Sequence, residues 1–253
     1  MLTPMGNPQN LFLYSQMGLS AAKFCLILLP YTIMSAVCLV ITAMKIPSEK
    51  LFETEEAKAA FFESKDSVNA KSSTKGKPVQ IFRTAVYIVL FVLCILTVLK
   101  VITAMMLAII VAVVVGLLQW KILTKVDYIL LLTFVCFFIF SGNVQNIDVV
   151  KNALAKIVSG REFLCGICAS QVISNVPATL LLYPFVSDAK ELLLGVDLGG
   201  LGTLVASLAS LISYKLYCAS ENSEGGKFIK VFTIMNLIFI AILVAVKILI
   251  GLI

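Results

Sequence analysis

The chain has 253 residues; 60% are apolar and only 13% charged, with 20 basic against 14 acidic side chains and a net charge of +6. Soluble domains carry about a quarter charged residues. This composition, with a mean hydropathy of +1.03, therefore excludes both a water-soluble enzyme and a disordered chain. No histidine is present, which rules out a Ser-His-Asp triad, a Cys-His pair and a His-ligated metal. Seven cysteines, an odd number lying mostly in apolar runs, exclude a secreted disulfide scaffold. What remains is an all-α polytopic membrane protein.

A helix needs roughly 20 apolar residues to cross the hydrocarbon core. Residues 1–44 hold a polar start and one span, 24–44. Residues 45–83 form a linker with eight of the 20 basic residues. Within it, 51–62 reads as a short surface helix and 71–78 as a flexible stretch, serving either as a plain connector or as an anionic-lipid contact. Residues 84–253 begin with three apolar segments: 84–99, 101–120 and 128–140. An amphipathic helix at 146–159 follows, with Asp148 early, Lys156 late and Gly160 as its C-cap. Then come a re-entrant hairpin at 161–190, a broken helix at 192–216 and a last span at 228–253.

Basic residues favour cytoplasmic loops. Placing 45–83 inside also brings Lys121, Lys125, Lys215, Lys227 and Lys230 inside, thirteen of the 20. This orientation requires the hairpin to enter and leave on the outer side.

Lipid cannot satisfy free backbone groups, so broken backbone at membrane depth marks a protein-lined or watery cavity. The first break is Gln171-Val172-Ile173-Ser174-Asn175-Val176-Pro177. Pro177 disfavours helix at Val176, and Ser174 and Asn175 can cap the helix beyond. That helix start can hold an anion, and the Asn175 amide can serve either an anion or a cation. A Pro-kinked span with a self-capping Ser-Asn pair reads equally well. The second break, 195–203, has four glycines, Gly195, Gly199, Gly200 and Gly202, around Asp197, with Thr203 following. Such glycines suit unwound backbone or close helix packing. Asp197 is either an intramembrane acid lining an ion path or a loop acid at the interface. The third stretch, Thr3-Pro4-Met5-Gly6-Asn7-Pro8-Gln9-Asn10, read alone is a disordered terminus.

Ser174-Asn175-Val176-Pro177-Ala178-Thr179, followed by Gly195-Val196-Asp197-Leu198-Gly199-Gly200-Leu201-Gly202-Thr203, resembles the second repeat of the ion transporter superfamily. That group holds arsenite permeases, sodium–proton antiporters of the same fold and citrate-transporter-like anion permeases. The Thr3 to Asn10 stretch is similar to the broken helix of the first repeat. The resemblance implies an inverted-repeat transporter fold, each repeat with a re-entrant hairpin and a discontinuous helix, and here an incomplete first repeat. It implies a substrate and ion site at Ser174, Asn175, Pro177, Asp197, Gly199, Gly200, Gly202 and Thr203, with Asn7 and Asn10 as symmetry-related groups. A Na+ ion is expected near Ser174, Asn175 and Gly200. Val176 stands where the family carries threonine. The chain also reads as an N-terminally truncated copy, or a half that needs a partner chain.

Other chemistry finds no support. Cys165 and Cys168 have redox-motif spacing but lie in the apolar hairpin. No phosphate-binding Gly-Lys-Ser/Thr motif occurs. Asp197 has no second intramembrane acid for an aspartyl protease, and the positive charge is a topology signal rather than a nucleic-acid footprint. The expected function is secondary active transport of small anions, such as di- and tricarboxylates or arsenite-like oxyanions, across the plasma or inner membrane. Na+ or H+ is the coupling ion and no other cofactor is expected. The expected partners are the bilayer and the anionic substrate, with a homodimer or a missing N-terminal half. The alternative is a non-transporting remnant or half-subunit.

Overall fold

The structure, a computed structural model, describes residues 1–46, 77–144, 146–220 and 223–252. All regular elements among them are helical, as the composition dictates for a polytopic membrane protein. The surface helix read at 51–62 and residues 71–76 of the linker lie outside the described residues.

The chain divides into two units, residues 1–41 with 127–253, and residues 42–126. The larger unit opens with α1 (Pro8–Met17) and α2 (Ala21–Met44), whose last residues pass into the smaller unit. The smaller unit contains α3 (Lys77–Val98) and α4 (Ala104–Leu123). The larger resumes with α5 (Tyr128–Val144), α6 (Asp148–Val158), α7 (Glu162–Ile173) and α8 (Asn175–Leu182). It ends with α9 (Ala189–Gly199), α10 (Leu208–Cys218) and α11 (Gly225–Leu252).

Among the described residues, α2, α3, α4 and α11 are long and apolar enough to cross a bilayer. In α2, Pro30 removes one backbone donor. The Thr32 and Ser35 hydroxyls donate back to the Leu28 and Tyr31 carbonyls at 2.9 and 2.8 Å, so both are satisfied within the helix. Burial runs opposite to that of a soluble protein. Leu26, Ile33 and Val40 on α2 are exposed, while Gln9, Asn10, Glu162, Ser170, Asn175, Thr179 and Asp197 are buried. Lipid accepts the apolar exterior, and most of the polar groups find partners inside.

The core of the larger unit is the packing of α7 on α9. Small residues four apart on each helix make it possible: Gly166 and Ser170 on α7, Gly195 and Gly199 on α9. A Cβ on Gly166 would stand 3.0 Å from the Gly195 carbonyl carbon, and one on Gly199 would stand 2.9 Å from Ile167 Cα. Neither backbone can yield that space, so the helices touch only because these positions are glycine. The 195–199 stretch is accordingly helical, and the break comes later, after Gly199.

Glu162 fixes the path of α7 and α8. Its buried carboxylate accepts from the Gly160 N–H and the Ser187 N–H, both at 3.1 Å. Gly160 precedes α7, and Ser187 follows the short 3-10 turn Tyr183–Phe185 after α8. The chain therefore leaves this pair of helices where it entered, and α7–Ser174–α8 is a hairpin. Asp188 then caps α9, its carboxylate accepting from the Lys190 N–H at 2.8 Å.

Candidate functional site

The hairpin turns at Ser174, whose φ of 72° is unusual for a residue with a side chain. Its hydroxyl makes no cap bond to α8 and instead donates to the Ala206 carbonyl at 3.4 Å. Pro177 sits buried in the first turn of α8, where its missing N–H has no intrahelical partner to lose. Thr179 donates to the Asn175 carbonyl at 2.7 Å.

Beyond Gly199 the chain unwinds until α10, with one 3-10 turn at Leu204–Ala206. Three of the backbone groups of this break meet a single side chain, Gln171 of α7. Its amide donates to the Gly199 carbonyl at 2.7 Å and the Leu201 carbonyl at 3.0 Å, and its oxygen accepts from the Thr203 N–H at 3.0 Å. Thr203 completes the junction, its hydroxyl donating to the Gln171 carbonyl at 3.1 Å. Gly202 has φ of 102°, and a Cβ there would press into the Gln171 amide, 3.0 Å from its Cδ. Ser207 then caps α10 by accepting from the Ser210 N–H at 3.2 Å.

Hairpin, break and α1 meet around Asp197. A cavity of about 330 Å³ is lined by Asn7, Gln9, Ser35, Asn175, Asp197, Gly200, Ser207 and Asn236, with apolar residues between them. Gln9 of α1 donates to Asp197 Oδ1 at 3.2 Å. The other carboxylate oxygen, Oδ2, is buried and has no hydrogen-bond partner among the described residues. Asn10 Oδ1 is in the same condition, while its amide nitrogen donates to the Met1 carbonyl at 2.8 Å. Asn175 lies against Gly200: a Cβ on that glycine would stand 2.8 Å from Asn175 Nδ2.

Of the residues singled out in the sequence, Asn7, Asn175, Asp197 and Gly200 line this cavity. Asn10 is buried on α1 next to Gln9. Ser174, Gly202 and Thr203 face the junction between hairpin and break, and Gly199 is taken up in the α7–α9 contact. The residues 1–10 are not a loose tail: Asn7 starts α1, and Gln9, Asn10, Leu13 and Tyr14 are buried. Gln9 and Gln171 belong to the polar breaks of the sequence but not to its candidate site residues, and Ser35 and Asn236 belong to neither. Gln9 and Gln171 were visible as amides inside the polar breaks, and Ser35 and Asn236 as lone polar residues within spans.

A carboxylate oxygen buried without a donor is costly unless it is neutralised by a proton or a cation. The cavity around it offers amide, hydroxyl and backbone groups, which can meet either sign of charge. The model of the citrate transporter family matches residues 1–209. The chain belongs to the citrate transporter family. This citrate transporter family chain is 30% identical over 244 residues to the uncharacterized transporter MJ0456 of Methanocaldococcus jannaschii, covering 96% of itself and 61% of that protein. It is 29% identical over 221 residues to the inner membrane protein YbiR of Escherichia coli, covering 85% of itself and 54% of that protein. It thus spans somewhat over half the length of these relatives. No solved structure matches it. The matched region takes in the Asp197 cavity apart from Asn236 and Phe239, and the family is one of membrane transporters rather than enzymes.

Proposed function

We propose that the protein is a secondary active transporter that moves small anions across the plasma or inner membrane, coupled to Na+ or H+. The observation that carries this reading is the buried, donor-free Asp197 Oδ2 beside a polar cavity. Di- and tricarboxylates and oxyanions such as arsenite are the substrate classes; the family description, which names citrate, supports the carboxylates, and the amide-rich lining suits either.

Charge sets the order of events. While Asp197 is ionised and holds no cation, an anion entering the cavity meets like charge in a poorly screened setting. Once H+ or Na+ neutralises it, the repulsion is gone, and the amides of Asn7 and Asn175 can donate to the anion. Release of the cation on the other side expels the substrate. Thermodynamic coupling thus resides in one carboxylate.

The test is uptake of radiolabelled citrate and arsenite in vesicles, with imposed H+ or Na+ gradients, by the protein at its native length. Asp197→Asn keeps the shape and removes the charge. Expected is loss of gradient-driven accumulation while substrate exchange at equal concentrations persists. Accumulation that stays gradient-driven in Asp197→Asn overturns the reading.

A further inference from the structure

The smaller unit carries a second polar feature that transport chemistry does not use. In α4 the helix is interrupted at Gln119, whose φ of −154° and ψ of 72° are extended. The interruption is held to α3 by a side-chain bond: the Tyr87 hydroxyl donates to Gln119 Oε1 at 2.8 Å. Arg83 lies one helical turn before Tyr87, on the same face of α3. The end of α4 turns away beyond the break and carries Lys121, with Lys125 just past it. These elements enclose a cavity of about 420 Å³ lined by Arg83, Lys121, Lys125, Gln119 and Trp120. Among the described residues, no carboxylate lines it. Three cations share one concavity with no counter-charge among the described residues of its wall, and Trp120 is exposed at its rim. All three cations belong to the basic, cytoplasmic side of the membrane in the orientation that charge distribution favours.

We propose that the Arg83–Lys121–Lys125 cavity is a binding site for a phosphate group, carried by an anionic lipid headgroup or free in solution. Arg83 supplies a planar fork that suits two phosphate oxygens, and the lysines supply point charges. An exposed Trp at the rim suits the level where headgroup and acyl chain meet, the place where tryptophans are enriched, and this favours the lipid source. The Tyr87–Gln119 bond preserves the break that opens the cavity between the two helices.

The experiment measures lipid retained by the purified full chain from vesicles of phosphatidylglycerol and phosphatidylcholine, read by native mass spectrometry. Inorganic phosphate is added in a parallel thermal-shift series. Expected is selective retention of phosphatidylglycerol, falling roughly fivefold for each of Arg83→Gln, Lys121→Gln and Lys125→Gln alone and furthest in the triple variant that combines them. A charge-matched control, Lys215→Gln with Lys227→Gln and Lys230→Gln, keeps retention. Stabilisation by inorganic phosphate in the wild type but not in the cavity variants, without lipid retention, assigns the site to free phosphate. Equal loss in the cavity and control triples means diffuse charge and overturns the site. So does a wild type that neither prefers phosphatidylglycerol nor responds to phosphate. Tyr87→Phe provides a variant that keeps every charge; weaker retention there reports the cavity's shape.

Discussion

Gln9 and Asp197 are 188 positions apart in the chain and joined by one hydrogen bond of 3.2 Å. The contact places α1 against the end of α9 and leaves the second carboxylate oxygen as the free face of the acid. Gln9→Leu removes the donor and keeps most of the volume. A hydrogen bond to a charged group is worth about 1.5–3 kcal/mol, so uptake should fall about ten- to a hundredfold. Membrane insertion should be normal, checked by the yield of monodisperse protein. Wild-type uptake by Gln9→Leu would show that this bond does not hold the acid in place.

The α7–α9 contact yields a paired prediction on stability. Gly199→Ala sets a methyl 2.9 Å from Ile167 Cα and Ser170 Oγ. Overpacking of this kind costs about 1–3 kcal/mol. Gly142 in α5 has nothing within 4 Å of where its Cβ would be. There alanine should be neutral or stabilising by up to about 1 kcal/mol, because a helical glycine is replaced. Thermal melts in detergent compare the two, and a Gly199→Ala protein as stable as Gly142→Ala would contradict the close approach.

At the open end of the hairpin, burial alone would raise the Glu162 carboxyl. Backbone N–H donors at Glu162 itself, Gly160, Ser187 and Asp188 outweigh it and hold the group below the ordinary value of 4.5. A folded-state value lowered in this way contributes stability that is complete above the unfolded value and lost as pH falls through the folded one. The wild type should therefore lose thermal stability below about pH 4.5 more steeply than Glu162→Gln. Parallel melting curves against pH for the two proteins would sever the link between this carboxylate and hairpin closure.

Lys247 of α11 pairs with Glu191 at 2.7 Å and lies 4.4 Å from the centre of the Phe163 ring. Both charged side chains are partly exposed, 27% and 35%, so the ion pair is worth at most about 1 kcal/mol. The ring contact adds about 0.5–1 kcal/mol. Lys247→Met should destabilise the fold by about 1 kcal/mol in total. A double-mutant cycle with Glu191→Gln measures the share owed to the pair, and a coupling well above about 1 kcal/mol would mean that lipid screens this site less than water does.

The class of fold was legible because it depends on sums. A chain with 13% charged residues belongs in lipid, and its continuous apolar runs, rather than alternating ones, select helices over a closed barrel as the way to satisfy its backbone. The polar breaks were legible too, because Pro177, Gly202 and the amides of residues 7–10 stand out against apolar runs. What each polar residue faces was not. Gln171 differs from its neighbours by one amide, and its task depends on the hairpin bringing it opposite residues 199–203. The 195–199 glycines remained open between unwinding and packing, since both need the absence of a Cβ; only the position of α7 decides. The burial of Gln9, Asn10, Leu13 and Tyr14 was hidden for a similar reason: a terminus looks loose until its docking surface, here reaching residues nearly 190 positions away, is known.

The stitching at Gln171 has a mechanical side. One amide group ties the hairpin to three backbone groups of the interrupted helix. Pulling the two apart would strand those groups in apolar surroundings, a penalty of several kcal/mol. The hairpin cannot swing open as a flap. Whatever rearrangement exposes the Asp197 cavity to either face must carry hairpin and interrupted helix as a single cartridge, with the slack taken up in the chain on either side of it.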